Sequence, residues 1–271
     1  MPAEGVAVVT GGGRGIGANI ARALAGDGWS VVVTARSRGE IEAVAAETGG
    51  RAVELDVTDR ASVERCFDQI GHVDLLVANA GVGNGDDFWR IFEVNVLGVH
   101  LCCEAALAHG CSRIAITGSG ASYLPGQSNT SYTSSKAAIG RYAETLNNKL
   151  DIPVFLFSPG RVRTAMTIGA FPDDDGGWTP PELSAELVRK LATGRYDALA
   201  GRYIHAEHDD VDDLFARIDE LREHDLNAIR LRLMRTIVCF GDSNTWGYVP
   251  GSDGERLPRE AREERVRRLL D

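Results

Sequence analysis

Short β-branched runs alternate with longer amphipathic stretches along most of this 271-residue chain, and that alternation admits few folds. Strands are expected at Val6–Thr10, Ser30–Ala35, Arg51–Leu55, Asp74–Ala78, Ser112–Thr117 and Ile152–Phe157, with a late one at Arg202–Ile204. Helical periodicity fills Ile16–Gly26, Arg38–Glu47, Ala61–Ile70, Phe88–Ala108, Ser131–Leu150 and Pro181–Ala192. Parallel strands need crossovers of this length, and strands apolar on both faces need helices on both sides. The expectation is an α/β fold with a doubly wound parallel sheet covered by helices on each face. Phe171–Pro181, dense in Pro, Gly and Asp, reads as a loop, and Asp209 to about Arg232 reads as one long charged helix.

The length suits one large domain with a short extension, divided here as residues 1–233 and 234–271. A formal charge of −10 argues against nucleic-acid or anionic-membrane partners, while leaving room for a local basic pocket. Cys66, Cys102, Cys103, Cys111 and Cys239 show neither a Cys-x-x-Cys pair nor a His at metal-ligand spacing. They read as reduced buried thiols, and no metal is expected. No apolar run is read as approaching the roughly 20 residues of a membrane span. The N-terminus has no charged region followed by an apolar one, so a cytoplasmic protein is expected.

Thr10-Gly-Gly-Gly-Arg-Gly-Ile-Gly17 directly follows the first strand and opens the first helix. That context suits a dinucleotide pyrophosphate, which needs a tight turn, close backbone approach and amides at a helix N-terminus. Gly11, Gly13, Arg14, Gly15, Ile16 and Gly17 are the candidate contacts. The second strand ends Val31-Val-Val-Thr-Ala35-Arg36-Ser37, with no carboxylate to hydrogen-bond an adenosine ribose. Arg36 can contact a 2′-phosphate, and Arg14 could add a second charge. NADP(H) is therefore the expected cofactor.

Tyr132 and Lys136 stand four residues apart on an expected helix, so their side chains share a face. A phenol has an unperturbed pKa of about 10, and a fixed ammonium nearby would favour the phenolate. Alone the pair is compatible with two ordinary helix-surface residues.

Taken together the motifs resemble the short-chain dehydrogenase/reductase family over about residues 4–233. Thr10–Gly17 matches its glycine loop, and Asp56-Val57 matches the pair that contacts adenine. Asn79-Ala80-Gly81 and Asn95 match its two asparagine motifs. Ser119 precedes Tyr132 by thirteen residues, the family's usual interval, with Ser122 nearby as a pocket-lining residue. Pro159-Gly160-Arg-Val-Arg-Thr164, including Val162, matches the segment over the nicotinamide. The resemblance implies a Rossmann-type sheet and hydride transfer between nicotinamide and a ketone or secondary alcohol. It assigns Asn95, Ser119, Tyr132 and Lys136 as catalytic. Asp56, Val57, Asn79, Gly81, Pro159, Gly160, Val162 and Thr164 join the glycine loop, Arg36, Tyr132 and Lys136 at the cofactor. In this scheme Ser119 holds the substrate oxygen, Tyr132 is the acid–base, and Lys136 depresses the tyrosine pKa and binds the nicotinamide ribose. Asn95 holds a water that links Lys136 to solvent. A homodimer or homotetramer is implied, with the helices around Asn95 and Tyr132 at its interface.

Only thirteen residues separate Gly81 from Asn95, fewer than the family commonly has. Met166, Ile168, Phe171 and Trp178 suggest an apolar lid or a plain loop with core anchors. The tail breaks the pattern: Ile237–Phe240 reads as a strand, followed by Gly241-Asp242-Ser243-Asn244. This is similar to the first block of SGNH-type serine hydrolases, over about residues 234–260. The base and orienting groups lie in later blocks of that family, and no His follows Ser243. The tail reads as a truncated hydrolase N-terminus, ending in an Arg/Glu-rich helical pattern from Arg259. Alternatives to the reductase are a dehydratase or epimerase on the same fold, a non-catalytic cofactor-binding regulator, or a serine hydrolase using Ser243.

Overall fold

The computed structural model describes residues 5–83, 87–125, 129–170 and 177–230. By contacts the chain divides into Met1–Ile229 and Arg230–Asp271, and the sheet and its helices belong to the first unit. The expectations for Ser243, Cys239, the tail strand, the tail helix and Phe171 lie outside the described residues.

Seven strands form one sheet: β1 (Val6–Thr10), β2 (Ser30–Ala35), β3 (Arg51–Glu54), β4 (Leu75–Ala78), β5 (Arg113–Thr117), β6 (Val154–Ser158) and β7 (Tyr203–His205). Their order is β3-β2-β1-β4-β5-β6-β7, and every neighbouring pair is parallel. The expected doubly wound sheet is therefore the observed one. After β3 the chain crosses back to lay β4 on the other side of β1. This reversal opens a crevice at the C-terminal ends of β1 and β4, where such sheets bind ligands.

Successive strand residues feed opposite faces. Ala7, Val9, Val31, Val33, Leu75 and Val77 pack into one core cluster, and Val8, Val32, Leu76 and Ala78 into the other. The first face is covered by α1 (Gly15–Gly26), α2 (Arg38–Thr48) and α8 (Pro181–Ala192). The second is covered by α3 (Arg60–Ile70), α5 (Gly98–Ala108) and α6 (Thr130–Lys149). Each fully buried aliphatic side chain contributes about 1.5–3 kcal/mol, which is why strands need apolar residues at every position.

The expected helix Phe88–Ala108 is continuous but not uniform. It comprises α4 (Phe88–Phe92), a π-helical stretch Glu93–Leu97 and α5. By length and composition this 21-residue run could cross a membrane, contrary to the expectation of no such run, although half of its most apolar window is buried. Sequence reasoning missed α7 (Ala165–Ala170). The long charged helix is corrected to two short ones, α9 (Val211–Ala216) and α10 (Ile218–Glu223). The chain then turns through Asp225 and Asn227 at positive φ, which such short polar residues tolerate. Asn227 ties this turn to β7: its carbonyl accepts from Tyr203 N at 2.7 Å and its Nδ2 donates to Tyr203 O at 2.9 Å. Those bonds hold the backbone at the sheet edge, where a continuing helix could not supply them.

Candidate active site

The glycine turn is built by close approach. A Cβ on Gly11, whose φ is +65°, would sit 2.9 Å from Ala80 Cα. One on Gly17 would sit 2.4 Å from Gly11 O, so neither position admits a side chain. Thr10 Oγ1 accepts from the amides of Asn79 and Ala80, each at 3.0 Å. Asn79 Nδ2 returns a bond to Thr10 O at 3.0 Å, locking the turn against the end of β4. No side chain caps the N-terminus of α1 and no acidic residue lies in its first turn, so its amides remain open to an anion. Gly15 faces Thr164 across the slot, with an added Cβ reaching to 3.3 Å of Thr164 Cγ2. The turn and the Pro159–Thr164 segment thus form two walls of one cradle.

At the adenosine end Arg36 is exposed beyond β2, with no hydrogen bond or ion pair among the described residues. Arg14 differs, because its guanidinium lies 3.4 Å from Glu40 Oε1. Partial burial pushes the Asp56 carboxyl up, but the Thr58 amide and hydroxyl, with the charges of Arg90 and Arg36, bring it below its ordinary value. The Thr58 bonds are 3.0 and 2.7 Å. Val57 turns inward, where it fills the space a Cβ on Gly98 would need.

The four expected catalytic residues meet at the C-terminal ends of β4 and β5. Ser119 follows β5 and accepts from Ala121 N at 3.1 Å. Tyr132 and Lys136 lie on α6, which Asn129 caps by accepting from Tyr132 N at 2.9 Å. Asn129 Nδ2 also donates to Gly83 O at 2.8 Å, so one residue ties the helix start to the loop after β4. Lys136 is buried, and its Nζ donates to Thr117 O at 2.8 Å. Asn95 sits in the π-helical stretch. Its Oδ1 accepts from Val82 N at 2.9 Å, and its Nδ2 donates to Val82 O at 2.9 Å and Ser135 Oγ at 3.0 Å. Both of its side-chain donor hydrogens are therefore used on protein partners. Gly81 stands between Asn95 and Lys136, since an added Cβ would lie 3.3 Å from Asn95 Oδ1 and 3.9 Å from Lys136 Nζ.

One expectation is corrected here. Burial raises the Tyr132 pKa above its ordinary value, and a hydrogen bond with Ser119 opposes that only in part. Burial also lowers Lys136 to about 8. The phenol beside Lys136 is thus held above, not below, its ordinary value.

Among the expected apolar residues, Met166 lies against Gly83 beside Tyr132, where an added Cβ would be 2.7 Å from its Sδ and 3.7 Å from Tyr132 Cδ2. Ile168 is exposed, and Trp178 packs under the Arg161 guanidinium, 4.7 Å from ring centre to Cζ. Ser122, expected to line the pocket, spends its hydroxyl on Ser119 O at 2.7 Å. Cys66, Cys102, Cys103 and Cys111 are free and buried, with Cys66 and Cys103 raised to about 12 by desolvation. Sequence reasoning missed Asn129 and Ser135 as supports. An Asn three residues before Tyr132 is an N-cap signal that would have found the first.

A short chain dehydrogenase family model matches residues 5–175. An uncharacterised oxidoreductase of Methylorubrum extorquens is 37% identical over 76% of this chain and 91% of its own. The 3-oxoacyl-acyl-carrier-protein reductase of Haemophilus influenzae is 33% identical over 60% of this chain and 76% of its own. An alcohol dehydrogenase from the archaeon Thermococcus sibiricus, solved with 5-hydroxy-NADP, superposes with a TM-score of 0.63 at 34% identity, covering 69% of this chain and 90% of that one. The chain belongs to the short-chain dehydrogenase family of oxidoreductases.

Proposed function

We propose that this oxidoreductase uses NADP(H) to interconvert a ketone and a secondary alcohol, with Tyr132 as general acid–base. The observation that carries this reading is the meeting of Ser119, Tyr132 and buried Lys136 beside the glycine turn. Bound cofactor supplies the hydride. Ser119 donates a hydrogen bond to the substrate oxygen and fixes the carbonyl. Tyr132 donates its O–H proton to that oxygen as negative charge develops, and takes the proton back in the oxidative direction. Lys136 keeps one donor on Thr117 O and offers the rest of its ammonium to ribose hydroxyls. Asn95 fixes the loop and helix that flank Lys136, and acts through them.

The exposed Arg36, free of ion pairs among the described residues, supports the NADP(H) preference, as does the archaeal relative whose structure carries an NADP derivative. Reduced buried thiols fit a cytoplasmic setting. Trp89 and Leu97, exposed on the apolar helix Phe88–Ala108, support a homodimer or homotetramer through that helix and α6. The oxidoreductase unit is residues 1–233, with 234–271 as a non-catalytic extension, so truncation after Leu233 leaves turnover unchanged. The test of the function is NADPH oxidation against a panel of ketones and 3-oxoacyl thioesters. Tyr132→Phe lowers any activity found at least about a hundredfold, and a variant that keeps full activity removes Tyr132 from the chemistry.

A further inference from the structure

Thr179 joins the Pro159–Thr164 segment from fifteen or more residues away in the chain, and it lies in none of the family motifs. Its side chain is buried, 2% exposed, although the residues on either side are partly or fully exposed. Thr179 N donates to Arg161 O at 3.0 Å, and Arg161 N donates to Thr179 Oγ1 at 2.9 Å, closing a reciprocal pair across eighteen positions. The side chain also fills the space that Gly160, at φ +78°, leaves open: an added Cβ there would lie 2.3 Å from Thr179 Oγ1. The hydroxyl proton is donated to Glu207 Oε2, so the oxygen is satisfied as acceptor and as donor.

Glu207 is itself placed by a turn beyond β7. His205 Nδ1 accepts from the amides of Glu207 and His208, each at 3.2 Å. Asp209 Oδ2 accepts from His205 N at 2.7 Å and anchors the same turn. A line of side-chain contacts therefore runs from the end of β7, through Glu207 and Thr179, to the amide of Arg161. That amide lies between Gly160 and Val162, in the wall that faces Gly15.

We infer that Thr179 and Glu207 are positioning residues for the nicotinamide half of the cofactor, holding the Gly160–Val162 backbone in the shape the cradle needs. The inference rests on the proposed cofactor reading. The hydroxyl is the specified group, because its oxygen both lies closest to the Gly160 gap and bridges an amide to a carboxylate. Valine keeps the volume and loses the bridge, while serine keeps the bridge.

The test is fluorescence titration with NADPH and with adenosine 2′,5′-bisphosphate, which lacks the nicotinamide half. It is carried out on wild type, Thr179→Val, Thr179→Ser and Glu207→Ala. Thr179→Val should bind NADPH about tenfold more weakly, the scale of losing hydrogen bonds to an amide and a charged partner. It should bind the bisphosphate as wild type does, and Thr179→Ser should recover the NADPH affinity. Glu207 is exposed, so Glu207→Ala tests the same link without opening the core, and it should show the same selective loss. Should Thr179→Val fail to fold, Glu207→Ala decides the matter. NADPH affinity equal to wild type, or equal weakening of both ligands, overturns the inference and leaves the cofactor reading standing. A wild-type chain that binds neither ligand overturns both.

Discussion

The Lys136 ammonium nitrogen stands 5.9 Å from the centre of the Tyr132 ring and bonds the Thr117 carbonyl at 2.8 Å. The two residues share a helix face without a direct hydrogen bond, and burial shifts each away from its charged form. The phenol is biased to its neutral form, and the lysine stands near half-protonation at about pH 8. The negative charge of a dinucleotide pyrophosphate favours the ammonium.

Binding of NADPH just above pH 8 should therefore take up a proton at Lys136. Calorimetry in buffers of differing ionisation enthalpy measures this directly. Lys136→Met should bind without uptake, and equal uptake in both proteins would place the proton elsewhere.

The same lysine has a consequence for stability. Its folded pKa of about 8 lies below the unfolded value near 10.5, so the folded state favours the neutral amine. Its contribution is accordingly full above the unfolded value and is lost as pH falls through the folded one. Relative to Lys136→Met, wild type should gain up to about 3 kcal/mol between pH 8 and pH 10.5. Urea denaturation of both proteins across that range checks it, and parallel curves would contradict it.

Asn129 caps the catalytic helix and also holds Gly83. Asn129→Ala should lower stability by about 1 kcal/mol through the lost cap, and lower kcat further by freeing Tyr132. Asn129→Asp keeps the cap acceptor and loses the Gly83 bond, so it should recover the larger part of the stability. Asn95→Leu strands the Val82 amide and carbonyl and removes a donor from Ser135, and should cost about 2–4 kcal/mol. Thermal melts separate the two cases.

Arg36 and Arg14 should not behave alike. Arg36 makes no ion pair among the described residues, so Arg36→Ala should cost NADPH binding about tenfold and leave NADH nearly unchanged. Arg14 is shared with Glu40 and should give a smaller effect. Glu40→Gln releases Arg14 and should strengthen NADPH binding. Paired titrations with both dinucleotides read all three.

Strand alternation and the glycine turn made the sheet legible, because residues covered on both faces leave a continuous apolar record. The strands from β1 to β7 fall within two residues of their expected bounds. The site residues were legible through spacing, as Tyr132 and Lys136 share a face at four residues and Ser119 at thirteen needs only the turn after β5. Three things were not legible. The stop of the charged run after α10 depends on Asn227 reaching across to Tyr203, a tertiary bond with no local signature. The pKa directions of Tyr132 and Lys136 depend on burial, which spacing does not report. The Thr179 pairing joins positions eighteen residues apart and shows only once the segments meet.

The most direct test of the central claim follows a labelled hydride. With NADPH carrying deuterium at both nicotinamide C4 positions and a ketone that wild type reduces, mass spectrometry should find one deuterium at the carbinol carbon. Tyr132→Phe should bind NADPH as wild type does yet form that product at least about a hundredfold more slowly, the scale of one general acid. Unlabelled alcohol, or full-rate transfer by Tyr132→Phe, would contradict the account.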